Sequence, residues 1–157
     1  MKKIVGFLFL MFFLLSCQAF AQTTLLRGSV EKVPENFFGT WRVSSARVDT
    51  DSPITFKEKG VDIWNLSQVD NVIKLSNPFS GAMAEINVEN ASVNSVTFTK
   101  VGKYDAKILT DKVKITINED KFVGTDELIL DTLSDVDGTI RKTETAKYTI
   151  KGERIAE

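Results

Sequence analysis

The sequence predicts an all-β domain: a single antiparallel up-and-down (meander) barrel of eight or nine strands, with a β-sandwich as the alternative. Apolar and polar residues alternate with a period of two, as in Lys112–Asn118, where Val113, Ile115 and Ile117 share one face. Turn-forming residues recur at short intervals, and no long segment after the N-terminus repeats apolar residues at helical spacing. A meander with no helix to cover its edges is expected to close on itself.

Residues 1–21 have the pattern of an export signal. Lys2 and Lys3 precede an apolar run, residues 4–15, and residues 19–21 (Ala-Phe-Ala) give the small-x-small pattern of a cleavage site. The apolar run is shorter than the roughly 20 residues that a permanent membrane helix needs. We therefore predict a domain that is exported to the periplasm or secreted.

Cys17 leaves a second processing route open. Residues 14–17 (Leu-Leu-Ser-Cys) resemble a lipobox, in which the cysteine is lipidated and becomes the new N-terminus. Leu15 is larger than the residue usual at its place in that motif, so we favour cleavage after Ala21. If Cys17 is lipidated instead, the protein is an outer-membrane lipoprotein, and only then is the membrane a partner.

The remaining chain reads as one domain. Residues 22–37 form a lead-in that ends in a short helical turn, and residues 38–157 form the barrel domain. The predicted strands lie near 40–48, 61–69, 71–76, 82–89, 93–100, 104–109, 111–118, 121–131 and 139–151. A turn is predicted between most successive strands, including one at residues 101–103 (Val-Gly-Lys).

Composition excludes several classes of function. The chain has no histidine, and its one cysteine lies in the signal, which excludes histidine-dependent catalysis, Cys-His or Ser-His triads and ordinary zinc, copper or iron sites. With 20 basic and 21 acidic residues and no basic stripe, nucleic acid is not expected as a partner. We expect no cofactor, no bound metal and no enzymatic activity.

The start of the first strand resembles a known barrel family. Phe38-Gly39-Thr40-Trp41 is similar to the Gly-x-Trp opening of lipocalin-like (calycin-type) barrels, here an uncharacterised bacterial kind. In those families the tryptophan plugs the closed end and a basic residue of the last strand packs across its ring. The resemblance therefore implies that Gly39, Trp41 and Arg154 close the base of the barrel.

Three aromatic residues are candidates for ligand contact. Trp64 does not fit the alternation of its neighbours cleanly, so it is a core, rim or exposed residue, and an indole at the mouth would anchor a ligand. Phe98 and Tyr148 occupy inward positions of their strands, as do Phe122 and Leu128. Inward side chains either fill such a barrel or line a cavity in it.

Two acidic segments are interpreted as ordinary structural features and not as binding sites. Residues 133–144 partly match a calcium-binding loop, but Leu133 stands where the first carboxylate belongs and both flanks read as strands. We interpret this segment as a hairpin turn around Asp137-Gly138. Asp126-Glu127 is interpreted as part of a solvated face.

The sequence thus predicts an exported, non-enzymatic, lipocalin-like barrel that binds a small apolar or amphipathic ligand in the cell envelope. The alternative is an interaction module with a filled core that binds another envelope protein. Fold resemblance is a weak argument for function, so the interior of the barrel decides between these two hypotheses.

Overall fold

The computed structural model describes residues 33–155, which form an eight-stranded antiparallel barrel. A 3₁₀ turn at Glu35–Phe37 leads into the first strand. The strands are β1 (Gly39–Thr50), β2 (Lys59–Val69), β3 (Val72–Ser76), β4 (Met83–Ala91), β5 (Ser95–Tyr104), β6 (Lys107–Asn118), β7 (Lys121–Leu133) and β8 (Ile140–Arg154). The predicted signal, Cys17 and most of the lead-in lie outside the described residues.

Each strand pairs with the next along the chain, and β8 pairs with β1 to close the ring. The register joins Trp41 of β1 to Trp64 of β2 on one side and to Arg154 of β8 on the other. The predicted up-and-down barrel is therefore confirmed, and the sandwich alternative is wrong. Closure gives every strand of this sheet a hydrogen-bonded neighbour on each side.

Two predicted boundaries are wrong. Residues 101–103 are part of β5, and the turn comes later, at Asp105, where φ is +51°. Gly102 stays in the strand because the Tyr104 ring lies over it: a Cβ on Gly102 would be 2.8 Å from that ring. The predicted break at residue 110 is also absent, and β6 runs through Asp111 without interruption.

One half of the barrel interior is filled by aromatic side chains. Trp41 contacts Phe122 edge-on at 5.1 Å between ring centroids, and Phe122 stacks on Trp64 at 6.0 Å. The largest fully buried side chains are those of Trp41, Phe37, Phe98, Phe122, Leu66, Ile115, Ile150, Val96 and Val113. Gly152 leaves room for this packing, because a Cβ there would be 2.1 Å from a carbon of the Phe122 ring.

This filled half ends in a plug formed by the lead-in, Trp41 and Arg154. The Trp41 Nε1–H donates to the Phe37 carbonyl at 3.1 Å, and the Arg154 guanidinium carbon lies 4.2 Å from the centroid of the Trp41 ring. That guanidinium also donates to the carbonyls of Asn36 (2.6 Å) and Phe38 (2.7 Å). One cation thus stacks on the indole and ties the 3₁₀ turn over the end of the barrel.

Candidate functional site

The other half of the barrel has a polar lining. Where inward positions near the plug carry aromatic and aliphatic side chains, the same alternation further along the strands brings charged and hydroxyl groups inward. We call this set the polar belt. It consists of Arg47, Asp62, Lys100, Asp111, Asp126 and Tyr148, contributed by β1, β2, β5, β6, β7 and β8.

An ion pair between Lys100 and Asp111 lies at the centre of the belt. The two residues are direct partners across β5 and β6, and the Lys100 ammonium bonds to an Asp111 side chain that is 5% exposed. Burial by itself lowers the pKa of Lys100, but the charge and hydrogen bond of Asp111 outweigh it, so that this pKa is raised. Lys100 therefore remains a cation inside the barrel.

Asp126 is the second carboxylate of this region, and it lacks a partner. It pairs with Val113, two residues beyond Asp111 on β6, so the two carboxylates are diagonal neighbours on one inner face. Within residues 33–155, no hydrogen-bond donor reaches its buried Oδ1 atom. Burial, followed by repulsion from Asp111, raises the pKa of Asp126 to about 7 against the opposing attraction of Lys100.

The other charged members of the belt, Asp62 and Arg47, have hydrogen-bond partners. Asp62 accepts hydrogen bonds from the Trp64 indole N–H (3.2 Å) and from the Asn77 side-chain amide. Arg47 donates to the carbonyls of Pro53 (3.3 Å) and Phe56. Asp126 is thus the one carboxylate of the belt with an orphaned oxygen, and an unpaired buried polar group is costly.

Asp126 borders a cavity of about 180 Å³ that opens toward the end of the barrel opposite the plug. Its walls are formed by Ser45, Lys57, Lys59, Gly60, Asp126, Leu128 and Tyr148. Tyr148 is the direct strand partner of Asp126, and its hydroxyl donates to the Lys57 carbonyl at 2.7 Å. Burial is the main cause that raises the pKa of Tyr148, so the phenol stays protonated near neutral pH.

The connection between β1 and β2, residues 51–58, crosses this end of the barrel, and we call it the strap. Phe56 anchors it by burying its ring against the core. Glu144 of β8 holds it from the other side, accepting hydrogen bonds from the hydroxyls of Ser52 and Thr55 (2.7 Å). Lys142 adds an ion pair at 2.9 Å. The strap therefore covers part of the cavity through contacts with β8.

We expect Glu144→Gln to loosen the strap at pH 5 and above, where the native carboxylate is ionised, and to have little effect near pH 2. The hydrogen bonds from Ser52 and from Lys142 and Thr55 lower the pKa of Glu144 to about 2. The stability that this carboxylate contributes is complete above its unfolded pKa of about 4.5 and is lost as pH falls toward 2. Hydrogen exchange of the strap amides should accelerate in the variant at pH 5.

The matched control for this prediction is Glu89→Gln, which removes one exposed carboxylate from β4. It should leave exchange in the strap unchanged. An acid-unfolding profile of Glu144→Gln as steep as that of the native protein between pH 4.5 and 2 would contradict the role given to Glu144.

The residues predicted from sequence fall into different parts of the barrel. Trp64 and Phe98 are buried in the aromatic half, 4% and 0% exposed, and do not line the cavity. Tyr148 lines the cavity. Gly39, Trp41 and Arg154 lie at the plug, where Gly39 has a φ of +119°. Residues 134–139 form the turn between β7 and β8, with Gly138 at a φ of +70°.

The interpretation of Asp126 as part of a solvated face is wrong. Its neighbour Glu127 does face solvent and pairs with Lys147 at 3.4 Å, but Asp126 points into the barrel. Strand alternation could have predicted this orientation. Phe122 and Leu128 are both predicted to face inward, and Asp126 is an even number of residues away from each of them on the same strand. Lys100 and Asp111 were not predicted as site residues, because the predicted strand ends at residues 100 and 111 hid that the two face each other across β5 and β6.

Two absences apply to the described part of the chain. Between residues 33 and 155 there is no group of three or more His, Cys, Asp or Glu side chains arranged to hold a metal ion. Within the same range, no helix has the length and apolar character needed to cross a membrane.

Comparisons with known proteins add little. No protein-family model and no curated protein sequence matches the chain. A solved structure described as EF1p2_mFAP2b bound to DFHBI is 12% identical, and the match covers 81% of this chain and 97% of that chain with a TM-score of 0.40. These values are too low for that likeness to carry an argument, so the fold assignment rests on the strand pairing itself.

Proposed function

We propose that this protein is an exported, lipocalin-like barrel that binds one compact small molecule in the cavity beside Asp126. The observation that carries the proposal is the combination of an open cavity with a buried carboxylate oxygen that lacks a partner. Polar groups buried in native proteins nearly always have a hydrogen-bond partner, from the protein, ordered water or a ligand, so an unpartnered carboxylate beside an open cavity supports a binding site there.

Cavity size limits the ligand. Pockets that enclose drug-sized ligands measure about 300–1,000 Å³, whereas this cavity measures about 180 Å³. A long acyl chain does not fit in that space, since the half of the barrel beyond it is filled by Trp41, Trp64, Phe98 and Phe122. We therefore narrow the small apolar or amphipathic ligand expected from sequence to a short molecule.

Location and the absence of catalysis are parts of the proposal that rest on sequence. The signal pattern of residues 1–21 supports export to the periplasm or beyond. A chain without histidine has fewer means of acid-base catalysis, and the Lys100–Asp111 pair neutralises the groups that would otherwise serve. Binding is the function that such an interior supports best.

A cavity-filling variant tests the proposed site. Ser45 lines the cavity, and Ser44 is its exposed neighbour on the outer face of β1. We expect ligand-observed NMR with a library of molecules of up to about ten heavy atoms, a size set by the cavity, to detect binders of the native protein. Ser45→Leu should abolish their binding and Ser44→Leu should preserve it.

The same experiment can overturn the proposal. If no molecule of the library binds, the cavity is not a small-molecule binding site. Binders that Ser45→Leu retains with unchanged affinity would place small-molecule binding elsewhere on the protein. In the first case, the interaction module expected as the alternative becomes the better hypothesis.

A further inference from the structure

We infer that the ligand of this cavity carries a protonated amine, which binds the side chain of Asp126. The inference rests on the proposed function and adds the chemical class of the ligand. Three features of the described residues support it. The polar belt has one more carboxylate than cations, the Asp126 carboxylate with its unpaired oxygen borders the cavity, and part of the cavity wall is apolar.

The charges of the belt leave one carboxylate unmatched. Asp62, Asp111 and Asp126 face two cations, Arg47 and Lys100. Lys100 is bonded to Asp111, and Arg47 donates to main-chain carbonyls of the strap. Asp62 is exposed and has neutral hydrogen-bond donors, whereas Asp126, among the residues described, lacks both a counter-charge and a donor to its buried oxygen. A ligand that brings one positive charge would balance the carboxylate of Asp126, whose side chain lines the cavity.

An anionic ligand fits this position less well. It would lie against Asp126 with Asp111 as the next carboxylate, and like charges at close range repel. Lys57 and Lys59 do belong to the cavity wall, but both residues are exposed. Exposed ammonium groups are screened by water and salt, whereas the Asp126 oxygen is buried. Asp126 therefore influences the charge of the bound ligand more than Lys57 and Lys59 do, and it favours a cation.

The rest of the wall describes the other end of the ligand. Leu128 and the ring of Tyr148 offer apolar surface next to Asp126. A short alkyl chain attached to the amine would pack against both while the ammonium donates to the carboxylate. The ligand class is thus a small alkylammonium compound, in which a charge-assisted hydrogen bond gives orientation and the alkyl part gives contact area.

The test uses three probes of equal length: butylammonium, 1-butanol and butyrate. We expect butylammonium to bind at least about tenfold more tightly than 1-butanol, because hydrogen bonds between charged groups are the stronger ones. Butyrate should bind most weakly. The affinity for butylammonium should fall about tenfold per pH unit below pH 7, since only ionised Asp126 pairs with a cation.

Other titratable groups face this position and must be separated from Asp126. They are Arg47, Asp62, Lys100, Asp111, Tyr148, Lys57 and Lys59. Carboxyl carbon NMR on protein labelled at aspartate assigns the titration, because the Asp126 signal is the one that Asp126→Asn removes. Butylammonium should lower the apparent pKa of that signal, and Asp126→Asn should abolish the preference for butylammonium over 1-butanol.

The outcomes separate this inference from the proposed function. Equal affinity for 1-butanol and butylammonium, with Ser45→Leu blocking both, would overturn the amine inference and leave the binding site in place. Tighter binding of butyrate would overturn the inference in the same way. If no probe binds and none of the wider library binds either, the binding function itself fails.

Discussion

Replacing Asp126 by asparagine is expected to stabilise the ligand-free protein by up to about 4 kcal/mol at pH 8. The pKa of Asp126 rises from 3.8 to about 7 on folding, mainly because burial disfavours its charged form. Each unit of such a difference corresponds to about 1.4 kcal/mol between the two protonation states. Asparagine has nearly the same shape and carries no charge, so the variant avoids this cost.

The effect has a definite dependence on pH. Below about pH 4, Asp126 is protonated in both the folded and the unfolded chain, and its titration does not affect stability. Between pH 4 and 7 the unfolded chain releases this proton while the folded chain keeps it, so rising pH destabilises the fold. Above pH 7 the cost is complete. The variant should therefore gain most at pH 8 and gain nothing at pH 3.5.

Urea unfolding at pH 3.5, 6 and 8 measures these free energies directly. Glu127→Gln is the matched control, because Glu127 is the next residue on β7 and its ion pair with Lys147 is exposed. Its effect should stay within about 0.5 kcal/mol at each pH. A destabilised Asp126→Asn at pH 8 would show that the carboxylate has a stabilising partner and would remove the basis for the ligand.

The architecture of the barrel could be predicted because two simple signals agree. Alternation in segments such as Lys112–Asn118 gives strand and face together, and turns such as Asp70-Asn71 limit the length of each strand. The predicted strand boundaries were wrong where a residue type is common both in turns and in strands. Gly102 is a turn signal in isolation, but in the barrel it lies under the ring of Tyr104 within a strand.

The candidate site was harder to predict for a physical reason. A charged residue within a strand pattern usually faces water, and the cost of burying Asp111 or Asp126 argues against an inward position. Asp111 is stabilised by its ion pair with Lys100 of another strand, and Asp126 lies in the wall of a cavity. The strap contact between Ser52 and Glu144 joins residues 92 positions apart, which no local pattern indicates.

Trp41→Ala is expected to cost about 3–5 kcal/mol of folding stability. Trp41 is completely buried at the plug, where it contacts the Phe122 ring, the Phe37 carbonyl and the Arg154 guanidinium. Truncating a large buried aromatic side chain removes its transfer free energy and leaves a cavity. The loss is comparable to the total stability of many small domains, so a milder substitution is needed alongside it.

Trp41→Phe keeps this prediction measurable, since it retains an aromatic ring and loses the hydrogen bond to Phe37. We expect it to fold and to cost about 1–2 kcal/mol by urea unfolding. Val123→Ala, on the outer face of β7, is the control for an exposed apolar side chain and should cost less than about 0.5 kcal/mol.

A double-mutant cycle then isolates the contact between the indole and the guanidinium. Combining Trp41→Leu with Arg154→Gln should give a coupling free energy of about 0.5–2 kcal/mol, the range for a cation over an aromatic ring. Arg154 also holds the carbonyls of Asn36 and Phe38, so Arg154→Gln by itself should cost more than this coupling. Full additivity of the two substitutions would mean that Arg154 stabilises the plug through the lead-in carbonyls and its ion pair with Asp120, and that the stacked geometry contributes nothing to closure.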